Sequence, residues 1–437
     1  MKKSIYMACA AAVLLASCSQ NELGSDTGVN ENGDLIPIKI GVSQKNMSSR
    51  GVGTVGGLVD SEGNAVDESG NPIDPSANLW AGESFNLFMF MKDAKTDDGT
   101  LILKLSENNH RKENGEDILK GPIFDNEVFN APKGHDGTDA SNPSNYYAVS
   151  AAGNVRYYPA GGAHDFWAYR LDDCVNNTAT GDYAISEDGK QAYVDFVMNG
   201  TQDIMTAKAE PSADQIAAVG GDNVNRFFSA WTARKGVIPN LKFQHELTRL
   251  KFFVKAGNEQ AADPESGITV EGVKVLSKNT GRLIVAYTSD QEIIDRIIFG
   301  EDNPDTKEVE NSDYLVLKER LAGANEPLTA LTPQLVTIDY APIGEALLVA
   351  PQDEYELVVT ISQNLNFGGE LTSQKTYTDI KTVIKPHGGN TISTFSKGNS
   401  YKVKVTLYGL QEIKVTTELT PWVDGEEVEL IPEEDEF

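Results

Sequence analysis

The clearest structural signal in the chain is residues 401–419, YKVKVTLYGLQEIKVTTEL. Apolar and polar side chains alternate in both halves of this stretch, which is typical of β-strands that bury one face. The two halves, Tyr401 to Tyr408 and Ile413 to Leu419, are separated by a short segment that begins with Gly409. We therefore predict a β-hairpin near the end of the chain.

The same alternation recurs in short segments along the whole chain. Further strands are predicted at Ser84 to Met91, Arg156 to Tyr158, His164 to Tyr169, Tyr193 to Val197, Leu241 to Val254, Ile268 to Leu276, Arg282 to Tyr287, Ala346 to Ala350, Tyr355 to Ile361 and Lys381 to Ile384. Helices are predicted in only two places. In Ser212 to Arg234, Ser212 is suited to cap a helix at Ala213 to Val219 that ends at Gly220, and a second piece follows from Asn223; the other place is Asp290 to Phe299. Many short strands with few helices indicate an all-β protein built from β-sandwiches, with short helices in loops.

The N-terminal residues 1–17 are predicted to be a signal peptide. Lys2 and Lys3 precede an apolar run, Ile5 to Ala16, that is too short to span a bilayer. The run ends in Leu15-Ala16-Ser17-Cys18, which resembles the lipobox of bacterial lipoproteins. That resemblance implies cleavage before Cys18 and acylation of its thiol and amine, for example with palmitate. We expect a surface-exposed lipoprotein of the outer membrane, since several acyl chains together anchor a protein stably.

The ordered part of the chain is predicted to begin after a tether. Residues 18–34 are rich in Asn, Gly, Ser and Asp and offer little to bury, so we expect a lipidated flexible segment. Leu35 to Val42 then places an apolar residue at every second position from Ile36, which predicts a first strand with one buried face. The length suits two domains better than one. We place an N-terminal β-sandwich domain at 35–238 and a C-terminal one at 239–437.

Charge and cysteine content exclude two classes of protein. The formal net charge is −28, from 65 acidic and 37 basic residues. Nucleic-acid binding is therefore disfavoured, because phosphate contacts need clustered Lys and Arg. Of the three cysteines, Cys9 leaves with the signal peptide and Cys18 is lipidated, so Cys174 has no partner within the chain. We expect no disulfide scaffold and interpret Cys174 as a small packing residue.

No set of residues predicts an enzyme. Gly51 to Gly56 matches a dinucleotide-binding pattern as a string, but no strand-to-helix junction is predicted there. The five histidines show no metal-ligand spacing. His164 and His245 lie in apolar strands, where a hydrogen-bonded structural role is expected. We therefore predict no catalytic residue, no cofactor and no bound metal.

Several separated motifs resemble the fimbrillin family, the subunits of protease-assembled (type V) pili of Gram-negative anaerobes. They are Tyr157-Tyr158-Pro159 with His164 to Tyr169, Gln202 to Met205, Leu241 to Phe252, and the closing hairpin Tyr401 to Leu419 with the segment Thr420 to Gly425. The resemblance implies two tandem transthyretin-like β-sandwich domains and export as a lipoprotein.

The resemblance also implies cleavage after an Arg in the loop beyond the first strand. Arg50, followed by Gly51, stands at that place; alternatively it is a solvated loop residue. Loss of the first strand would leave a groove with unpaired backbone groups, which a strand from another subunit can fill by β-augmentation. The candidate donor is the C-terminal tail, with Val428, Leu430 and Ile431. The alternative is a tail that frays or pairs within its own domain.

We therefore expect a fimbrial subunit that contributes to cell adhesion. Its expected partners are other fimbrial subunits, joined by strand addition, and the outer membrane, reached through lipid; a ligand on a host or bacterial surface stays open. The alternative is a monomeric glycan-binding surface lipoprotein, because exposed aromatic rings on β-sandwiches stack on sugars. The aromatic residues concerned are Trp80, Trp167, Trp231 and Trp422. Core packing is the favoured role of Trp167, which shares one face of its strand with Tyr169.

Overall fold

The fold is that of an all-β protein, as the sequence predicts. The computed structural model describes residues 35–44, 58–59, 65–66, 82–96, 98–103, 111–113, 116–118, 123–131, 147–179, 181–300, 312–320, 328–367, 370–386, 394–408 and 413–420. Within these residues, strands form several sheets, and three short helical segments interrupt them.

Thirteen strands precede the helical segments. They are β1 (Gly41–Gln44), β2 (Leu58–Val59), β3 (Ala65–Val66), β4 (Ser84–Met91), β5 (Arg111–Glu113), β6 (Glu116–Ile118), β7 (Phe124–Asn130), β8 (Val149–Ser150), β9 (His164–Arg170), β10 (Val175–Asn176), β11 (Ala184–Ile185), β12 (Gln191–Val197) and β13 (Met205–Lys208). The helical segments are α1 (Ala213–Val219), a 3-10 helix (Gly221–Arg226) and α2 (Ala230–Arg234).

Fourteen described strands follow the helical segments. They are β14 (Asn240–His245), β15 (Thr248–Ala256), β16 (Ile268–Lys278), β17 (Thr280–Tyr287), β18 (Ile297–Phe299), β19 (Ser312–Val316), β20 (Lys318–Glu319), β21 (Thr329–Ala330), β22 (Gln334–Leu335), β23 (Ala341–Val349), β24 (Tyr355–Phe367), β25 (Glu370–Ile384), β26 (Ser400–Leu407) and β27 (Ile413–Thr420). The predicted closing hairpin is present, since β26 and β27 pair antiparallel.

Four sheets carry most of the described strands. The largest has the order β1-β14-β13-β9-β4-β7-β8, and a second has the order β10-β12-β17-β18 with β11 beside β12. The third is β23-β15-β26-β27, and the fourth is β19-β16-β24-β25 with β22 beside β16. The inward positions of the last two sheets are aliphatic, and Val254, Val270, Val359 and Val403 are fully buried in one cluster. This alternation of buried and exposed positions is what the sequence pattern predicts.

Spatial clustering divides the described residues into two compact units. The first contains 35–38, 155–164 and 211–238, and the second contains the remainder. In the first unit, Ser212 caps α1 and Ser229 caps α2, each through a reciprocal capping box. No helix in the described part of the chain has the length and apolar character needed to cross a membrane.

The proposed division into domains at residue 238 stays a prediction. Two strand pairs in the second unit join segments from either side of that position. β1 pairs with β14, and β12 pairs with β17 over its whole length. Both pairs are long-range, so neither can be read from local sequence.

Two local predictions need correction. Asp290 to Phe299 is not a helix: Ile297–Phe299 is β18, which pairs with β17, and the buried Arg296 guanidinium donates to the carbonyls of Ile284 and Val285. Leu241 to Val254 is not one strand, because the chain changes sheets at Glu246 and Leu247. In both cases tertiary contacts outweigh a weak local preference.

The helix predicted at Ala213 to Val219 is confirmed: it is α1, with Ser212 as its cap and Gly220 directly after it. The second piece, predicted from Asn223, is divided into the 3-10 helix and α2.

Candidate functional site: the first strand and its partner

The first described segment, Leu35 to Gln44, has the alternation that the sequence predicts. Ile36, Ile40 and Val42 are buried, whereas Pro37 and Lys39 are exposed. The regular ladder, however, is β1 at Gly41–Gln44, later than the predicted strand. The residues before it are held by single backbone hydrogen bonds.

Pro37 lies at a position where its missing N–H costs no hydrogen bond. Pro37 forms an isolated antiparallel bridge with Tyr157. The two hydrogen bonds flanking it run from the Ile38 N–H to the Arg156 carbonyl and from the Tyr158 N–H to the Ile36 carbonyl, both 2.9 Å. A residue between two such bonds donates nothing across this bridge, so a proline, which has no N–H, is tolerated there.

β1 is the edge strand of the seven-stranded sheet and runs parallel to β14. The pairs are Gly41 with Asn240, Val42 with Leu241, Ser43 with Lys242 and Gln44 with Phe243. The ladder is preceded by a 2.9 Å hydrogen bond from the Gly41 N–H to the Pro239 carbonyl. β13 pairs with β14 on its other side. Without β1, β14 would itself be the edge of the sheet, with unpaired backbone groups.

The core beside β1 is rich in aromatic rings. Val42 and its register partner Leu241 share one face of the sheet, and both are buried. Two positions further along β14, the Phe243 ring packs edge-on against Phe85, with 5.2 Å between ring centroids. Phe85 in turn stacks on Phe129 at 6.1 Å. We call Ile40–Gln44 together with Asn240–Phe243 the first-strand site.

The energy that holds β1 in place is moderate. Full burial of an aliphatic side chain contributes about 1.5–3 kcal/mol, and β1 with the residue before it buries two such side chains, Ile40 and Val42. Each backbone hydrogen bond adds about 0.5–1.5 kcal/mol net. β1 is therefore held by two buried aliphatic side chains and a short ladder of backbone hydrogen bonds.

The other predicted site residues lie outside the described part of the chain. These are Cys18 for lipidation, Arg50 and Gly51 for cleavage, and Val428, Leu430 and Ile431 for the donor strand. Their positions in the sequence are still informative. Arg50 and Gly51 follow shortly after the end of β1 at Gln44, and the tail follows β27, which ends at Thr420.

A buried polar pair was missed at the level of sequence, although both of its members lie in the quoted motifs. His245 Nδ1 and Asp203 Oδ2 are 2.6 Å apart, and both side chains are almost completely buried. A buried carboxylate that meets an imidazole in this way is far less costly than either group alone. The sequence signal is a polar residue, His245, in an otherwise apolar strand, but this signal does not identify Asp203 as its partner.

Glu246, next in the chain, is a second buried carboxylate. It accepts a hydrogen bond of 2.5 Å from the Thr206 hydroxyl and forms an ion pair of 3.1 Å with Lys397. Its backbone N–H donates to the carbonyl of Ile204 at 2.9 Å. These contacts tie the motif around Gln202 to Met205 to the point where the chain leaves the first sheet for the third.

The structure corrects the prediction for His164. This residue is 1 % exposed, and neither ring nitrogen has a hydrogen-bond partner. Its backbone N–H donates to the Phe228 carbonyl at 3.2 Å. Burial lowers the pKa of the His164 imidazole to about 4. His164 is therefore a buried neutral base rather than a hydrogen-bonded structural histidine.

Two of the four tryptophans are core residues. Trp167 is 1 % exposed, as its shared face with Tyr169 predicts. Trp231 is 9 % exposed, and the Arg226 guanidinium carbon and Lys235 Nζ lie 3.9 and 4.3 Å from its ring centroid. Trp80 and Trp422 lie outside the described residues. Neither Trp167 nor Trp231 offers an open ring face for a sugar.

A cleft of about 630 Å³ lies beside Lys397 in the second unit. Its lining includes Glu246, Lys278, Asp295 and Phe299. Lys397 lies within 3.2 Å of both Glu246 and Asp295, so it offsets part of their negative charge. Among the described residues, no group of three or more His, Cys, Asp or Glu side chains is placed to hold a metal ion.

Cys174 is partly buried against the hydrophobic cluster, which agrees with a packing role. Burial and the neighbouring carboxylates, Asp172 first among them, raise the pKa of its thiol. A thiol in such surroundings is a poor nucleophile.

The fold and the first-strand site define a class of protein: an all-β protein whose sheet is completed by a strand from its own N-terminal segment. The sequence profile of the fimbrillin-like family matches residues 78–422. The chain therefore belongs to the fimbrillin-like family, which confirms the resemblance seen in its motifs. No curated protein matches the sequence.

Solved structures with related folds have low overall similarity. A candidate cell adhesion protein from Bacteroides uniformis is 13 % identical, with a TM-score of 0.40, and the match covers 92 % of this chain and 100 % of that one. A second, from Bacteroides ovatus, is 12 % identical, with a TM-score of 0.38 and coverage of 89 % and 99 %. The fimbrial anchor protein Mfa2 from Porphyromonas gingivalis is 11 % identical, with a TM-score of 0.26 and coverage of 88 % and 98 %. Family membership therefore rests on the sequence profile.

Proposed function

We propose that the protein is a fimbrial subunit that is exported as a lipoprotein through Cys18, trimmed after Arg50 and polymerised by donor-strand exchange, contributing to cell adhesion at the outer membrane. Membership of the fimbrillin-like family supports the fimbrial role and suggests a structural rather than an enzymatic protein. The observation that carries the mechanism is the first-strand site. β1 is a short edge strand that buries apolar side chains, and it comes just before Arg50 in the chain.

This position suits the proposed trimming step. A cut after Arg50 would separate everything before Gly51, including β1 and the lipid on Cys18, from the rest of the protein. The released segment would then be held by the four-pair ladder with β14, by the backbone hydrogen bonds of Ile36 and Ile38 to residues 156–158 and by its buried side chains. These are non-covalent contacts of a short segment, which a competing strand can displace, and β14 then becomes available to that strand.

The sequence of the C-terminal tail has the alternation that a donor strand needs. Val428 and Leu430 are two residues apart, as are Ile40 and Val42, and glutamates occupy the alternate positions. Apolar residues at this spacing fall on one face of a strand. A donor tail could therefore bury Val428 and Leu430 where Ile40 and Val42 were buried. Ile431 falls on the opposite face of a regular strand, just before Pro432.

The decisive experiment determines the N-terminus of the surface-assembled protein by mass spectrometry. The parent is expected to begin at Gly51 and to form polymers that resist detergent and give ladders on unboiled gels. Arg50→Ala should keep acylated Cys18 and give no ladder. Lys45→Ala, in the same loop, is the matched control and should be trimmed and assembled like the parent, because an Arg-specific protease ignores it.

A second pair of variants tests the tail separately. Val428→Asp with Leu430→Asp should leave trimming intact and abolish ladders, because a charge cannot replace a buried aliphatic side chain. Glu427→Gln with Glu429→Gln changes the opposite face and should still assemble. A surface-assembled parent that retains acylated Cys18 would contradict the strand-exchange proposal and leave an anchor or a monomeric glycan-binding lipoprotein as the alternative.

A further inference from the structure

The outer face of the sheet β23-β15-β26-β27 is strongly basic. Its register aligns three rows across β15, β26 and β27: Lys251 with Lys402 and Glu418, Phe253 with Lys404 and Thr416, and Lys255 with Thr406 and Lys414. Residues paired in this way share one face of a sheet. The opposite positions, such as Val254, Val403 and Val405, are buried in the core. We call Lys251, Lys255, Lys402, Lys404 and Lys414 the lysine face.

This concentration of positive charge contrasts with the rest of the protein. The chain has a formal net charge of −28. Side chains of like charge on neighbouring strands destabilise a sheet unless a counter-charge is close. Tyr340 covers part of the face: its hydroxyl lies 2.9 Å from the Thr406 hydroxyl, and Lys255 Nζ and Lys404 Nζ lie 4.6 and 5.8 Å from its ring centroid. An aromatic ring stabilises ammonium groups but leaves the net charge of the face positive.

The most acidic segment of the chain starts from this same sheet. β27 ends at Thr420, and residues 424–436 contain eight acidic side chains and no basic one. A chain spans at most about 3.3–3.6 Å per residue, while neighbouring strands are about 4.8 Å apart, so a few residues suffice to reach β26 and β15. Asp424-Gly425 is a typical turn pair that can reverse the chain direction. A tethered segment also has a high effective concentration at the face.

We propose that the acidic C-terminal segment, residues 424–437, docks on the lysine face of its own chain. The docking is electrostatic, between the glutamates of the segment and Lys255, Lys402 and Lys404. It does not require that the tail later acts as a donor strand, so it goes beyond the function proposed above. If the tail is donated, docking keeps it on its own subunit until assembly, and high salt loosens it.

The test is the rate at which a glutamate-specific protease cuts the tail of the purified full chain after Glu427 and Glu429, followed by mass spectrometry. The triple variant K255Q/K402Q/K404Q should be cut roughly fivefold faster than the parent at low salt, the scale expected when several partly exposed ion pairs are lost. At 1 M salt, where the screening length is about 3 Å, parent and variant should be cut equally fast.

A matched control removes the same number of lysines elsewhere. K95Q/K235Q/K385Q, at three exposed positions, should be cut at the parent rate at both salt concentrations. Equal low-salt rates for the lysine-face variant and the parent would overturn the proposal. So would protection that increases with protein concentration, because that result would assign the tail to a second copy.

An independent measurement needs no variant. Zero-length carbodiimide cross-linking of the dilute, unaltered chain should join tail peptides to peptides that contain Lys255, Lys402 or Lys404. If the tail cross-links to other lysines instead, or not at all, the proposal is wrong even where the triple variant fails to fold.

Discussion

The first and last described strands both complete a sheet edge, but they are held differently. β1 pairs with β14 through four parallel register pairs, and its partner lies far along the chain. β27 pairs with β26 through eight antiparallel register pairs, and its partner is the preceding strand. β27 therefore has twice as many register pairs as β1, and a short connection joins it to its partner.

This difference indicates which edge suits the proposed strand exchange. The hairpin β26–β27 reforms from neighbouring residues, since closing a short loop costs little entropy. β1 can return to β14 only while the chain that joins them is intact. Once that connection is cut, β1 has no entropic advantage over a strand from another molecule. β1 is a short parallel edge strand whose partner is remote in sequence, so another strand could replace it. β27 belongs to a local hairpin and is expected to stay paired with β26.

The largest expected effect comes from damage to β14, which β1 and any replacement strand both need. Phe243→Ala removes a fully buried ring that packs on Phe85 and should lower the free energy of unfolding by about 3–5 kcal/mol. Lys242→Ala, on the exposed face of the same strand, should stay within about 0.5 kcal/mol of the parent. Urea unfolding measures both. Equal effects would mean that β14 does not organise this edge.

The next prediction concerns acid pH, at which the sheet that contains β9 should lose stability before the sheet that contains β26 and β27. The pKa of His164 in β9 is about 4 when folded, against the ordinary value of 6.5, so between these values only the unfolded chain takes up this proton. Stability is therefore unaffected above pH 6.5 and is lost as pH falls towards 4, by up to about 3 kcal/mol.

Urea unfolding at pH 7 and pH 4.5 tests this loss. His164→Gln should show a smaller decrease between the two pH values than the parent, because glutamine does not titrate. Hydrogen exchange at pH 4.5 should lose protection in β9 and β13 before it does in β26 and β27. An unchanged pH dependence in His164→Gln would show that other groups cause the acid effect.

The smallest predicted change in stability is the most direct test of whether the first segment leaves after trimming. Ile40→Val deletes one buried methylene beside β1 and should cost about 0.5–1.5 kcal/mol in the intact chain. In the form trimmed after Arg50 it should cost nothing, because the segment is gone. Ile361→Val, a matched change in the fully buried part of β24, should cost the same in both forms. A cost for Ile40→Val that persists after trimming would mean that the first segment stays bound.

Much of the fold was predictable, because alternation of apolar residues is a local signal. Most of the predicted strands are present, and the closing hairpin has the predicted limits to within a residue or so. The segment Leu241 to Val254 marks the limit of this reasoning. Its apolar positions change phase, from odd-numbered residues up to Leu247 to even-numbered residues from Leu250, but this change does not reveal that the two halves lie in different sheets.

The first-strand site was predictable only in part, because a local pattern does not identify a partner that is remote in sequence. The buried face of Leu35 to Val42 follows from its pattern, but its partner does not. The parallel register with Asn240–Phe243 depends on contacts far apart in sequence. The Asp203–His245 pair and the unpartnered His164 were likewise beyond local reasoning, since a polar residue in an apolar strand does not reveal what it faces.

The pattern of apolar residues and motifs was enough to predict the all-β class, the family and the buried face of most strands, because a strand's two-residue period places every second side chain on the same side. Only the three-dimensional fold shows which strands are neighbours. It placed β1 at an edge beside β14, brought His245 to Asp203 and aligned the lysines of β15, β26 and β27 on one face. The choice of neighbouring strands depends on burial and hydrogen bonding over the whole chain, because segments remote in sequence compete to pair with the same strand.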